Sequence, residues 1–229
     1  VGVCTSRRET GRKAIEQAGY EFATTDYREL LKREDIQIIH CCLPNYLHKD
    51  LLIAAIKAGK HIYCDKPLAM NLKEAKEVIE TVKGAGIKHQ MTFEYRFIPA
   101  MLRAEQLIRE GFLGKFLSFR ACYLHSGYVD PDRPMSWRLE KAKSGGGALF
   151  DLGSHVLDLL RYLSGEYASV YATFETFTKK RPKRKNFPEK AGVEVDDIIG
   201  AKSRHFAKIR PLAPDRKTVT EMEDGRRKI

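Results

Sequence analysis

Long apolar runs are missing from this chain of 229 residues. None approaches the roughly 18 to 20 residues that a membrane-spanning helix needs. The opening VGVCTSRRETG also lacks the basic, apolar and small-residue order of a secretory signal. A cytoplasmic setting away from membranes is the expectation. Cysteine is scarce and odd in number: Cys4, Cys41, Cys42, Cys64 and Cys122, four of them inside apolar runs. This excludes a disulfide framework and predicts reduced, buried thiols, without the spacing of zinc ligands. Acid is in short supply, with 30 Asp and Glu against 41 Lys and Arg, a formal net charge of +11. The excess is uneven, since residues 171–229 carry 16 basic against 9 acidic side chains. Lys179 to Lys185, KKRPKRK, is its densest part. Such a run is ordinarily a solvated loop, so nucleic acid is not the expected partner.

What is present is a periodic body, 43% hydrophobic overall and able to form a real core. Val1 to Cys4 reads as a strand, Glu9 to Ala18 as a helix, and Asp26 to Lys32 as a helix capped by Asp26. Ile36 to Cys42 reads as a buried strand, Leu47 to Ala58 as a helix closed by Gly59, and His61 to Cys64 as a strand. A helix over Asn71 to Lys83 and a strand over Ile87 to Phe93 follow. Strands alternating with helices predict parallel βαβ units in a doubly wound sheet over residues 1–98. From Pro99 the pattern changes to a helix, a long strand over Lys115 to His125, a polar loop, a second helical stretch, and a strand over Ala168 to Phe177. This predicts an α+β domain over 99–199 with an open, mainly antiparallel sheet. Residues 200–229 are basic, Pro-interrupted and without apolar period, and predict a poorly ordered tail.

Chemistry concentrates in two places. In SGGGALFDLGSHVLDLLRYLSG, Ser144 to Gly165, helical spacing puts Asp151, His155 and Asp158 on one side. Acid, imidazole and acid on a half-buried face are costly unless they pair, coordinate or react. A structural Asp151–His155 pair is one alternative, and metal binding lacks a third strong ligand nearby. The carboxyl ends of the strands form the second place, because ligands of open α/β sheets bind there. Ser6 and Arg7 follow the first strand; Pro44, Asn45 and His48 follow Ile36 to Cys42; Asp65, Lys66 and Pro67 follow His61 to Cys64; Glu94, Tyr95 and Arg96 follow Ile87 to Phe93.

Together LPNYLHKD, AGKHIYCDKPLA, EYRFIPA and GGGALFDLGSHVLD, in this order, resemble the oxidoreductase family of glucose–fructose oxidoreductase and inositol 2-dehydrogenase, the Gfo/Idh/MocA family, over residues 1–198. The resemblance implies a Rossmann domain followed by an α/β domain whose open sheet serves in dimerisation. It further implies that the first strand and glycine loop of the Rossmann domain are missing, since no G-x-G-x-x-G stands before Val1. Both ends therefore read as incomplete, and residues 1–229 alone are expected to bind dinucleotide weakly.

The implied activity is hydride transfer between a nicotinamide cofactor and a hydroxyl or carbonyl of a sugar, cyclitol or related diol. The resemblance puts the motif Lys on Lys66 and the motif Asp and His on Asp151 and His155. His155 suits proton transfer, Lys66 suits stabilising the reacting oxygen or holding the nicotinamide ribose, and Asp151 or Asp158 suits orienting the imidazole. Ser6, Arg7, Pro44, Asn45, His48, Asp65 and Lys66 are the expected cofactor contacts. The absence of an acid between Cys4 and Glu9 leans the cofactor from NAD to NADP. Arg96, Tyr123, His125, Trp137 and Arg138 are the expected substrate contacts. Asp65 and Glu94 depart from the pattern, standing where Glu and a small amide are more usual. A ligand-sensing protein of the same fold is the alternative reading, no metal is expected, and a homo-oligomer through the second-domain sheet is.

Overall fold

The computed structural model describes residues 1–202 apart from 116, 168 and 187. The chain starts with β1 (Gly2–Cys4), α1 (Arg8–Ala18) and β2 (Phe22–Thr24), and β1 and β2 pair in parallel. After α2 (Tyr27–Leu31) come β3 (Ile38–Cys41), α3 (His48–Lys57), β4 (His61–Cys64), α4 (Leu72–Val82) and β5 (His89–Met91). These strands form a parallel sheet in the order β3-β4-β5, with Cys41 opposite Cys64 and Cys64 opposite Met91.

Local signals account for most boundaries. Asp26 accepts from the Arg28 amide and Asn71 from the Glu74 amide, which satisfies N–H groups that a helix start leaves bare. The turn after α3 ends at Gly59 with φ of 68°, a left-handed conformation that costs glycine little. Strand β2 has no counterpart among the sequence expectations: three residues inside a polar stretch carry too little periodicity to mark it.

Cys41, Leu51, Leu52, Ala55, Ile56, Ile62, Cys64 and Val78 form the core between β3, β4 and the helices α3 and α4. Burying a side chain such as Leu52 contributes roughly 1.5 to 3 kcal/mol. The expectation of a wholly buried strand over Ile36 to Cys42 needs correction. Ile39 and Cys41 point inward whereas Ile38 and His40 are exposed, because α3 and α4 cover one face.

Beyond α5 (Pro99–Arg109), residues 117–126 form no strand, contrary to the expected strand over Lys115 to His125. No strand among the described residues pairs with this segment, and Leu117 and Leu124 are 82% and 85% exposed. A short helix α6 (Lys141–Ser144), a π-helical turn at Leu149–Gly153 and α7 (Ser154–Ser164) follow. Strand β6 (Tyr171–Glu175) pairs antiparallel with β9 (Ile198–Lys202), and β7 (Lys180–Pro182) pairs antiparallel with β8 (Lys190–Gly192).

Two further expectations change. The basic run is exposed at Lys179, Lys180, Lys183, Arg184 and Lys185 as expected, but it is not all loop: Arg181, in β7, is fully buried and donates to the carbonyls of Asp130 and Tyr128, both at 2.5 Å. Its guanidinium finds backbone acceptors that a count of charges cannot show. Of the tail expected from residue 200, residues 200–202 belong to β9, and residues 203–229 lie outside the described residues. Of the cysteines, all free, Cys42 and Cys122 are exposed, not buried.

Candidate active site

Parallel pairing continues past the strand ends and sets the floor of the site. The Asp65 amide donates to the Cys41 carbonyl at 2.9 Å, and the Thr92 hydroxyl donates to Asp65 Oδ1 at 3.0 Å. Lys66 therefore leaves β4 in a fixed direction. Its ammonium donates to the main-chain carbonyl of Asp151 at 2.6 Å and to Asp151 Oδ1 at 2.8 Å. Asp151 presents both oxygens because it lies in the π-helical turn, where the chain has not yet settled into α7. Among the described partners, two of the three ammonium protons are thus engaged, leaving one for a further oxygen.

His155, 7% exposed, lies in the first turn of α7. Rings enclose it, with Tyr95 4.7 Å, Phe93 6.1 Å and Tyr123 6.3 Å between centroids. Nε2 is 4.0 Å from Glu94 Oε1, and Nδ1 has no hydrogen-bond partner among the described residues. Burial holds the imidazole below the ordinary histidine pKa and the nearby Lys66 charge adds to this; Glu94, Asp151 and Asp158 work against both. Tyr95 and Tyr123 share a hydrogen bond between their hydroxyls at 2.7 Å, which pushes the Tyr95 pKa up to about 12 and keeps it neutral.

One cleft is lined by Asn45, Asp65, Lys66, Tyr123, His125, Trp137, Arg138 and Asp151. Several sequence expectations shift at this point. Arg96 is turned onto Asp158 through two hydrogen bonds, one of 2.6 Å, and fastens the turn after β5 to α7. A guanidinium committed in that way is not presented to substrate. Asp158 is correspondingly spent, which leaves Asp151 as the carboxylate beside Lys66. The Asn45 side-chain amide donates to the Ser144 carbonyl at 2.7 Å and ties the turn after β3 to the glycine stretch. His48 is 0% exposed, with Nδ1 2.8 Å from the Pro67 carbonyl and Nε2 2.7 Å from the Leu43 carbonyl. It stands behind the cleft and does not face it. Ser6 and Arg7 are exposed at the end of β1 and are not among the cleft-lining residues.

Sequence reasoning missed two contributors. Tyr95 was visible only as a strand-end tyrosine, although its ring packs on His155. Asp196 accepts from the Gly147 amide at 2.9 Å and the Leu149 amide at 2.8 Å, and its own carbonyl accepts from the Ala148 amide at 2.9 Å. Nothing near Asp196 in sequence announces a partner some fifty residues earlier. Gly147 is required by this approach, since a Cβ there would lie 2.0 Å from the Asp196 carbonyl oxygen. Among the described residues, two donor sets have ligand atoms within 4.8 Å of one another, Cys41–His48–Cys64 and His40–Cys42–Asp65; neither includes Asp151 or His155.

Comparisons with known proteins follow this division. A family model for an oxidoreductase family with an NAD-binding Rossmann fold matches residues 1–93, and one for the GFO/IDH/MocA C-terminal domain matches residues 101–205. Levoglucosan dehydrogenase of Pseudarthrobacter phenanthrenivorans is 39% identical over 208 residues, covering 86% of this chain and 53% of that protein. Myo-inositol 2-dehydrogenase of Thermotoga maritima is 30% identical over 160 residues, 70% of this chain and 46% of that one. A solved levoglucosan dehydrogenase in complex with NADH and levoglucosan superposes with a TM-score of 0.85 at 39% identity, covering 89% of this chain and 54% of that one. The chain thus spans about half the length of the relatives it matches.

Proposed function

Because this chain belongs to the GFO/IDH/MocA oxidoreductase family, we propose that it interconverts a CH–OH group and a carbonyl on a sugar, anhydro sugar or cyclitol. The carrying observation is the Lys66 ammonium, held by the carbonyl and one carboxylate oxygen of Asp151 with one proton unspent, near the buried His155 whose pKa its charge helps to lower. A bound nicotinamide would supply the hydride acceptor or donor. In the oxidising direction His155 takes the hydroxyl proton, for which its lowered pKa keeps it neutral and ready near pH 7. Lys66 meets the oxygen as negative charge develops on it, and Asp151 keeps the ammonium in place. Tyr123, His125 and Trp137 give the cleft aromatic faces and polar tips suited to a ring bearing hydroxyls. Relatives named for levoglucosan and myo-inositol support this substrate class.

Asn45, Asp65 and Lys66 line the cleft at the strand ends where a dinucleotide would lie, Pro44 joins the lining residues Leu43 and Asn45, and His48 supports Leu43 from behind through its carbonyl. Ser6 and Arg7 stand exposed after β1, and the nearest following acid, Glu9, pairs with Lys13 at 2.9 Å. That favours NADP(H) over NAD(H). The change from parallel to antiparallel pairing between β5 and β6 supports a division near residue 98. The exposed apolar face of the second half supports self-association.

The test uses the purified protein in its full natural length with NAD or NADP and, in turn, levoglucosan, myo-inositol and glucose, reading the absorbance of reduced nicotinamide. Turnover is expected with at least one of them. Lys66→Met and His155→Asn should each lower kcat by about a hundredfold or more, and Arg7→Ala should weaken use of NADP selectively. Undiminished turnover in both of the first two variants would remove these residues from the chemistry. Tight cofactor binding without turnover on any polyol would favour a ligand-sensing protein.

A further inference from the structure

His48 has two ring nitrogens and two acceptors, and a neutral imidazole has only one N–H. Nδ1 lies 2.8 Å from the Pro67 carbonyl oxygen and Nε2 lies 2.7 Å from the Leu43 carbonyl oxygen, neither of which can donate. In either neutral tautomer one of these contacts sets a nitrogen lone pair against an oxygen lone pair. Only the doubly protonated ring satisfies both. The ring is 0% exposed, however, and a positive charge shut away from water needs a compensating negative charge close by.

The groups that face it come from the two strands beneath. Cys41 ends β3, Cys64 ends β4, and their opposed register sets both side chains on the face that α3 covers. Cys64 Sγ is 3.7 Å from His48 Nδ1, and all three ligand atoms lie within 4.8 Å of one another. Both thiols are 1% exposed. The closest carboxylate in sequence, Asp65, is turned outward to the Thr92 hydroxyl and to His40. We infer that His48 is an imidazolium in the folded protein, balanced by a thiolate on Cys41, and that this buried ion pair fastens the Leu43 turn to the Lys66–Pro67 turn.

The Cys64 thiol donates to the Asp65 carbonyl at 3.2 Å and so keeps its proton, which leaves Cys41 to carry the charge; the neighbouring Cys64 and, after it, His48 hold the Cys41 pKa well below the ordinary thiol value against the effect of burial. Cys64 moves the opposite way, chiefly through Cys41, and stays a thiol. For His48, burial opposes the charge, and the Cys41 sulfur with the two carbonyls outweighs it, so the pKa is raised. The Pro67 carbonyl directly follows Lys66, so the pair sets where the lysine leaves β4; its value to catalysis rests on the function proposed above, whereas its existence does not.

The test therefore needs neither substrate nor cofactor. In protein labelled with 15N at histidine, NMR at pH 8 should show one ring with both nitrogens protonated and both protons protected from exchange. An ordinary histidine, with a pKa of about 6.5, is neutral there. Ultraviolet difference spectra at pH 7 should show one thiolate per chain, persisting in Cys64→Ser and absent in Cys41→Ser. A buried ring with a single N–H at pH 8, no thiolate absorbance at pH 7 in the unsubstituted protein, or a stoichiometric zinc ion occupying a ring lone pair would each overturn the inference. The first two readings use the native chain and do not depend on any variant folding.

Discussion

Glu94 differs from the other two carboxylates that act on His155. Asp151 holds Lys66 and Asp158 holds Arg96, while Glu94, half-exposed, has no cation partner among the described residues beyond its 4.0 Å approach to the imidazole. Its charge raises a pKa that burial and Lys66 lower. His155 must be neutral to accept a proton, so oxidation is retained above its pKa and lost as pH falls through it, which occurs below the ordinary value of about 6.5. Replacing Glu94 by Gln removes a raising influence, so the acid limb of the kcat profile should move to still lower pH. The same variant should shift the NMR titration of His155 in the same direction. An unmoved acid limb would mean that Glu94 does not act on the histidine. From sequence, the types and order of Lys66, Asp151 and His155 were legible because motif spacing carries them. What they touch was not: that Arg96 goes to Asp158, or that His48 turns its back on the cleft, depends on main-chain carbonyls whose position only the fold sets.

Among the elements, the stretch from Gly145 to Ser164 decides whether the site exists. Its helical spacing marks it as a helix, and it ends at Gly165 as expected, yet its start is a π-helical turn fed by an α6 that closes at Gly145, φ 81°. Periodicity does not distinguish a π turn from an α turn over five residues. The amides of Gly147 and Leu149 would be bare without Asp196, which acts as a capping side chain from far along the chain. Asp196→Ala should cost about 1 to 2 kcal/mol of stability, the usual worth of a lost cap, read as a lower melting temperature. It should also cut kcat more than it raises KM, because Asp151 and His155 hang from this turn. Gly147→Ala should be worse, since the Asp196 backbone has to shift to admit the methyl group. A D196A protein of full stability and activity would show the cap to be incidental.

At the scale of the whole molecule, the two halves differ in how they hide apolar surface. The β3-β4-β5 sheet has α3 and α4 on one face and a contiguous core. In the second half every residue of β6 is exposed, with Tyr171 at 66% and Phe174 at 74%, and Phe177 and Leu124 are bare alongside. Exposed apolar patches beyond a few hundred Å² mark association surfaces, and a two-stranded antiparallel sheet left open in this way is suited to pairing with its own copy about a two-fold axis. The expected outcome is a particle of at least two chains in light scattering of the full-length protein at micromolar concentration. Phe174→Lys combined with Leu124→Lys should halve that mass or more while leaving the far-ultraviolet circular dichroism unchanged. Both positions are already solvent-facing, so the substitutions place charge on a surface and not in a core. A monomer before substitution, or an assembly indifferent to the two lysines, would locate the contact elsewhere. Leu124, Tyr171 and Phe177 also line the cleft that holds Lys66 and Asp151, so the dissociated chain should lose turnover together with mass.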